Sequence, residues 1–193
     1  MATTWGPLPA PRLLSGEEPI SGTDARLRDF WSWAYSDLRT NTTRPLLAEY
    51  PVARAVGAEL RPRVEWDSCD VRTPDGLRLE VKSGAYLQAW EQSKLTAIAF
   101  GGLRARVWGP DGRGVDQTYN ADGYVFAVQT ATEHASYDAL ELGQWSFWVL
   151  PRSVVVGTGQ SSLGLARVQE LAGPPVSYAG LSDRIRTIVV RTA

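Results

Sequence analysis

The sequence predicts an α/β fold in which a central mixed β-sheet is flanked by helices. Apolar residues recur at helical spacing in the N-terminal part. From about residue 64 onward, short alternating or apolar runs are separated by turns that contain Gly and Asp. A chain of 193 residues with 44% hydrophobic content can bury one substantial core, so we expect residues 1–193 to form a single domain.

Two helices are predicted first, after an irregular, proline-containing arm over residues 1–21. The first helix spans about residues 24–38, with a buried apolar face. That face consists of Leu27, Phe30, Trp31, Ala34 and Leu38. The second helix runs from about Arg44 to Val56 and ends at Gly57, a residue that favours helix termination.

Strands dominate the middle of the chain. A strand that ends at Val71 and another over residues 77–82 flank the turn Pro74-Asp75-Gly76. A third helix is predicted over residues 85–100. The remaining predictions are strands at 103–108, 124–130, 145–150 and 186–190, with a helix at 163–171.

Composition limits the classes of function. The net charge of −1 argues against a protein that coats nucleic acid without specificity, because that mode needs an excess of basic residues. Cys69 is the only cysteine, so intramolecular disulfides and thiolate-rich zinc sites are excluded. No apolar run suggests a signal peptide or a membrane span, and we expect a cytoplasmic protein without a membrane partner.

Charged residues are placed unusually on the predicted hairpin. If the turn centres near Asp75, then Asp70 lies opposite Glu80, and Lys82 lies on the same face because side chains alternate along a strand. Directly opposed carboxylates repel, so a compensating cation is expected. Mg²⁺ or Mn²⁺ fits this role through the Asp70 and Glu80 carboxylates and the Val81 carbonyl, while Lys82 stabilises negative charge. Asp67 replaces Asp70 if the register slips by three residues.

Asp70 followed by Glu80-Val81-Lys82 on a strand pair resembles the signature of the PD-(D/E)XK nuclease superfamily. That superfamily includes many type II restriction enzymes, Holliday-junction resolvases and repair exonucleases. The resemblance implies a restriction-endonuclease-like core within residues 44–150 and Mg²⁺-dependent hydrolysis of DNA. It also implies that Glu49, on the helix before the strands, supports the metal site. Gln88 and Gln92 resemble the glutamine that some members carry in the following helix.

Two further residues could contact a substrate. Asn41 and Arg44 lie at the start of the second helix and could bind phosphate groups, although capping and salt bridging explain them equally well. The expected partners are DNA and either a second copy of the chain or another protein that supplies specificity. The alternative function is a catalytically inactive protein of the same fold that binds nucleic acid or serves as an assembly subunit.

Overall fold

A computed structural model describes residues 11–65, 67–106 and 117–189. The chain divides into two compact units, one within residues 1–36 and 60–65 and the other within residues 37–59 and 66–193. Of the predicted arm over residues 1–21, residues 1–10 lie outside the described part of the chain. No described helix combines the length and the apolar character that crossing a bilayer requires.

The smaller unit contains helix α1, Leu27–Tyr35. It begins after Arg26, so the prediction of a helix was correct but its start lies three residues later than expected. The prediction of a buried apolar face was wrong, because no residue of α1 is buried and Trp33 is 84% exposed. The described residues of this unit contribute no buried side chain, so the apolar spacing of α1 has no core to join there.

The larger unit is a mixed α/β structure built on a four-stranded sheet. Its strands are β1 (Val71–Arg72), β2 (Arg78–Ala85), β4 (Gly123–Gln129) and β5 (Trp145–Pro151), and they are arranged in the order β1-β2-β4-β5. The β2–β4 pair is parallel and the other two pairs are antiparallel. A small second sheet joins β3, Ala99–Phe100, to β6, Leu163–Gly164.

Helices cover both faces of the main sheet. Helix α2, Thr43–Ala55, and helix α5, Tyr178–Val189, contribute buried residues to a core with Leu79, Val81 and Phe147. Helix α3, Arg152–Gly157, and helix α4, Leu165–Ala172, contribute to a second core with Tyr124, Phe126 and Trp148. The predicted central sheet with flanking helices is therefore confirmed for this unit.

The predicted helix over residues 85–100 is wrong. Strand β2 continues to Ala85 in parallel register with β4, and the chain then runs through bends to β3. In this segment, side-chain hydrogen bonds take the place of the backbone hydrogen bonds of a helix. Gln92 Oε1 accepts a bond from the Gln88 backbone N–H at 2.7 Å, and Gln88 Nε2 donates to the Ala85 carbonyl at 2.9 Å. No Gly or Pro interrupts the helical spacing there, so the sequence carried no warning.

The C-terminal predictions were mixed. The helix expected at 163–171 is confirmed as α4, whereas the strand expected at 186–190 is wrong because residues 186–189 belong to α5. Leu181 and Ile185, four residues apart, are both buried on the α2 side of the sheet. Their helical packing overrides the β-propensity of the Ile-Val-Val run. In the strand expected at 103–108, Ala105 bridges Thr118, and residues 107–108 lie outside the described part.

Candidate functional site

The predicted hairpin register is confirmed. Val71 pairs with Leu79 and Arg72 pairs with Arg78, which is the arrangement expected for a turn centred near Asp75. The Gly76 N–H donates to the Thr73 carbonyl at 2.9 Å, and Gly76 has a φ of +91° that favours glycine. The turn therefore explains Pro74-Asp75-Gly76 and holds Asp75 at the hairpin tip, on an exposed loop.

Asp70 lies where β1 leaves the ladder. Its backbone N–H still donates to the Leu79 carbonyl at 3.1 Å, and its Oδ2 accepts the Val81 N–H at 2.8 Å. The Asp70 carboxylate thus takes the place that a longer β1 would have given to a backbone carbonyl. Strand β1 is only two residues long, rather than the predicted strand from 64, and because it begins only at Val71, the side chain of Asp70 contacts β2.

Asp67 does not take this position. Its Oδ1 accepts hydrogen bonds from the backbone N–H and the hydroxyl of the adjacent Ser68, and its side chain is exposed. Of the two aspartates left open by the sequence, Asp70 is the one that contacts the strand carrying Glu80 and Lys82.

Glu80 and Lys82 form an ion pair on β2. Lys82 Nζ donates to Glu80 Oε1 at 2.6 Å, and the two side chains are only 15% and 20% exposed. Their partners in β4 are Tyr124 and Phe126, both fully buried. We expected one face of the hairpin to be core, but the face that carries Glu80 and Lys82 adjoins the second core as well. The ion pair therefore lies at a core margin rather than on a solvated surface.

The surroundings of Glu80 disfavour its charge. Burial raises the pKa of Glu80, the negative charges of Asp70 and Glu49 raise it further, and the Lys82 ammonium opposes this rise. The carboxylates of Asp70 and Glu49 therefore both act on Glu80, and the Lys82 ammonium acts on it in the opposite direction.

Glu49 lies on the buried side of α2. It is 8% exposed and sits next to Ala48, which is fully buried in the core that α2 forms with β1 and β2. Tyr50, the next residue of α2, is by contrast 56% exposed. The helix is rotated so that Glu49 faces inward, towards the strands that carry Asp70 and Glu80.

The donor set suits a hard divalent cation in its chemistry. Asp70 and Glu80 supply carboxylate oxygens, and the Val81 carbonyl lies on the same edge of β2 as the Val81 N–H that Asp70 accepts. Within the described ranges, no three His, Cys, Asp or Glu side chains are grouped closely enough to hold a metal ion. Mg²⁺ commonly binds through one or two carboxylates, with water and substrate oxygens completing its shell.

A second polar group lies at the start of α2 and beyond the end of β2. Arg44, which is 5% exposed, donates to Gln88 Oε1 at 3.3 Å, to Asn41 Oδ1 at 2.6 Å and to the Arg39 carbonyl at 2.9 Å. The structure thus brings together Arg44, Asn41 and Gln88, three of the four residues predicted to contact a substrate. The fourth, Gln92, hydrogen-bonds within its own loop, to Gln88, Tyr86, Lys94 and Thr96.

Sequence reasoning missed two residues near these groups. A Cβ atom added to Gly102 would lie 3.5 Å from Lys82 Nζ, so the backbone of Gly102 borders the Lys82 ammonium. Tyr137 acts electrostatically on Arg44, and the Arg39 guanidinium lies 4.5 Å from the centre of its ring. The sequence signals neither contact, because both join segments that are distant in the chain.

No protein-family model matches the chain, and no curated protein matches it significantly.

Proposed function

We propose that this chain is a Mg²⁺- or Mn²⁺-dependent nuclease that hydrolyses DNA phosphodiester bonds through a PD-(D/E)XK site on a restriction-endonuclease-like core. The observation that carries the proposal is the hydrogen bond from Val81 N–H to Asp70 Oδ2, together with the Glu80–Lys82 ion pair on either side of Val81. The motif residues thereby converge on three consecutive positions of one strand.

Each residue has a role in this proposal. Asp70 and Glu80 hold the cation with the Val81 carbonyl, and Glu49 supports them through its negative charge. The bound cation supplies Lewis-acid polarisation of the phosphate and a lower pKa for an attacking water. Lys82 Nζ, held at Glu80 Oε1, stabilises the negative charge that develops on the phosphate oxygens. The partial burial of Glu80 and Lys82 strengthens these interactions, because the local dielectric is lower than that of water.

The hairpin offers a matched pair of aspartates for the test. Asp70→Asn changes the carboxylate that contacts Val81, whereas Asp75→Asn changes the exposed carboxylate at the tip of the same turn. Mn²⁺ binding is measured by calorimetry, and cleavage is assayed on plasmid DNA, single-stranded DNA and RNA with either metal. We expect Asp70→Asn to weaken Mn²⁺ binding and to abolish cleavage, and Asp75→Asn to behave as wild type.

Two outcomes would contradict the proposal. Equal cleavage by the Asp70→Asn and Asp75→Asn variants would mean that the Asp70 carboxylate takes no part in cleavage. DNA binding without cleavage in any metal would favour the inactive nucleic-acid-binding subunit instead.

A further inference from the structure

Arg44 is a buried cation without a carboxylate partner in the described part of the chain. Its hydrogen-bond acceptors are the Arg39 carbonyl and the side-chain amides of Asn41 and Gln88, all of them neutral. A guanidinium has five N–H donors, and these three bonds leave Nε and one Nη2 hydrogen unused. Arg44 Nε is buried and has no hydrogen-bond partner among the described residues. Burial lowers the pKa of Arg44, and the electrostatic effect of Tyr137 opposes this shift.

Arg78 provides a comparison, because its guanidinium is paired with a carboxylate. Its Nε and Nη2 donate to the two carboxylate oxygens of Asp122, at 3.1 and 2.7 Å. This pairing raises the pKa of Arg78. On Arg44, by contrast, Nε is unpartnered among the described residues and Nη2 meets only the neutral Asn41 amide, although Arg44 is far more buried than Arg78. Such a fork matches the spacing of two oxygens on a carboxylate or a phosphate.

Further donors surround Arg44. The Tyr137 hydroxyl is buried, no residue in the described ranges hydrogen-bonds to it, and its charge state acts on Arg44. Arg39 stacks on the Tyr137 ring and approaches His134 Nδ1 at 3.3 Å. The carboxylate of Asp37 lies at the margin of this group, where it is exposed and accepts the Arg39 backbone N–H. Two unused donors of a cation and one unused hydroxyl therefore lie in one neighbourhood.

We propose that Arg44, Tyr137 and Arg39 form a binding site for a phosphate group of the nucleic acid that the Asp70–Glu80–Lys82 site cleaves. Arg44 donates Nε and Nη2 to two phosphate oxygens, the Tyr137 hydroxyl donates to a third, and Arg39 adds positive charge. A phosphate is favoured over a carboxylate because it offers enough oxygens for both the fork and the hydroxyl. The link to cleavage rests on the proposed function, whereas the phosphate site itself does not.

The placement of this site relative to Asp70 supports that link. Asp70 accepts from Val81 and Gln88 donates to Ala85, both on the side of β2 that β1 no longer pairs within the described residues. We call this side, over residues 81–85, the unpaired edge of β2. Four residues of strand span about 13 Å, which is about four nucleotides of rise along one strand. One nucleic-acid strand along the unpaired edge could reach both groups.

The test measures phosphate binding without divalent metal. Thermal unfolding and calorimetry compare potassium phosphate with potassium chloride at equal ionic strength, because a ligand that binds the folded state raises the unfolding midpoint. We expect Arg44→Lys, which keeps the charge but loses the fork, to weaken binding about 10- to 100-fold, and Tyr137→Phe to weaken it about fivefold. Arg54→Gln, an exposed arginine on the same helix, is the matched control and should bind as wild type.

Two short oligonucleotides, with and without a 5′-phosphate, identify the source of the phosphate in the Glu80→Gln background. Tighter binding of the phosphorylated strand assigns the site to a terminal phosphate, and equal binding that Tyr137→Phe weakens assigns it to an internal phosphodiester. Binding of inorganic phosphate with neither oligonucleotide bound would overturn the nucleic-acid assignment.

The phosphate site itself has its own contradicting results. No response of the wild type to phosphate or to either oligonucleotide would overturn it, as would equal weakening by Arg54→Gln. If Arg44→Lys does not fold, Tyr137→Phe still tests the site, because it keeps the ring beneath Arg39. Wild-type protein that cleaves DNA but does not bind phosphate would reject this site alone, and wild-type protein that binds phosphate but does not cleave DNA would reject the nuclease alone.

Discussion

The two polar groups along the unpaired edge of β2 carry opposite charge. Around Val81, the carboxylates of Asp70 and Glu49 act on Glu80, and Lys82 opposes their effect. Beyond Ala85, Arg44 is buried among neutral acceptors. One group is built on carboxylates, and the other is a buried cation among neutral acceptors. A metal cation with a phosphate-bearing strand is a ligand pair that would compensate both.

The late start of β1 produces this difference. Because β1 begins only at Val71, side chains rather than a strand satisfy the backbone of β2 beyond the β1–β2 pairing. The Asp70 carboxylate accepts a hydrogen bond from the Val81 N–H, and the Gln88 amide donates one to the Ala85 carbonyl. A longer β1 would have filled the same edge with neutral peptide groups. The shortened strand therefore makes room for charged side chains beside a buried sheet.

The largest expected effect separates Lys82 from the metal ligands. Lys82→Met should lower the cleavage rate about 10²- to 10³-fold, because one preorganised positive charge at the phosphate is lost. Mn²⁺ binding should persist, since Asp70 and Glu80 remain. Steady-state cleavage and Mn²⁺ calorimetry on the same preparation test both parts. Lys94→Met, which changes the other lysine, in an exposed loop, is the control. Wild-type cleavage by Lys82→Met would remove Lys82 from the mechanism.

The next effect concerns the strand that joins the two groups. A Cβ atom at Gly84 would lie 2.5 Å from Ile98 Cγ2 and 3.3 Å from Phe100 Cε1. Gly84→Ala should therefore lower the free energy of unfolding by about 1–3 kcal/mol, as overpacked cores do. Urea unfolding measures this value. The displaced strand should weaken Mn²⁺ and phosphate binding together.

Gly157→Ala provides the comparison for Gly84. Nothing lies within 4 Å of a Cβ atom added at Gly157, and this residue ends α3 without a positive φ. Its stability should stay the same or rise by up to about 1 kcal/mol. If Gly84→Ala weakened only one of the two binding events, the groups would not depend on a common rigid strand.

The hairpin could be predicted because its signals are local. Pro74-Asp75-Gly76 sets the turn, and the turn sets the register in which Val71 pairs with Leu79 and Arg72 with Arg78. The segment after β2 could not be predicted in this way, because the side chains of Gln88 and Gln92 replace backbone hydrogen bonds there. Its apolar spacing is equally compatible with a helix, and only pairing with β4 decides that β2 continues to Ala85.

Long-range packing also decided the site's burial and its second group. The sequence placed Glu80 and Lys82 on a non-core face, but β4 brings Tyr124 and Phe126 beside them. That neighbourhood raises the pKa of Glu80, an effect that no local pattern shows. Tyr137, which acts electrostatically on Arg44, lies in a loop more than ninety residues away from it in the chain. A single sequence has no signal for such a contact.

The smallest expected effect concerns the comparison between Arg78, which is paired with a carboxylate, and Arg44, which is not. Asp122 accepts three hydrogen bonds from Arg78, and these lower the pKa of the Asp122 carboxyl. Because both side chains are partly exposed, Asp122→Asn should cost only about 0.5–1 kcal/mol at neutral pH. Arg78 would then resemble Arg44 in lacking an anionic partner, but water would hydrogen-bond to its exposed guanidinium.

The pH dependence of this effect has a defined sign. A carboxyl whose pKa is lower in the folded state stabilises the fold above its unfolded pKa, and this contribution is lost as pH falls through the folded pKa. Urea unfolding of wild type and Asp122→Asn should therefore differ at neutral pH and converge in acid. Asp183→Asn, in a highly exposed pair with Arg186, should show no difference at any pH. A gap between wild type and Asp122→Asn that persisted in acid would mean that packing, rather than the filled fork, supplies the stability.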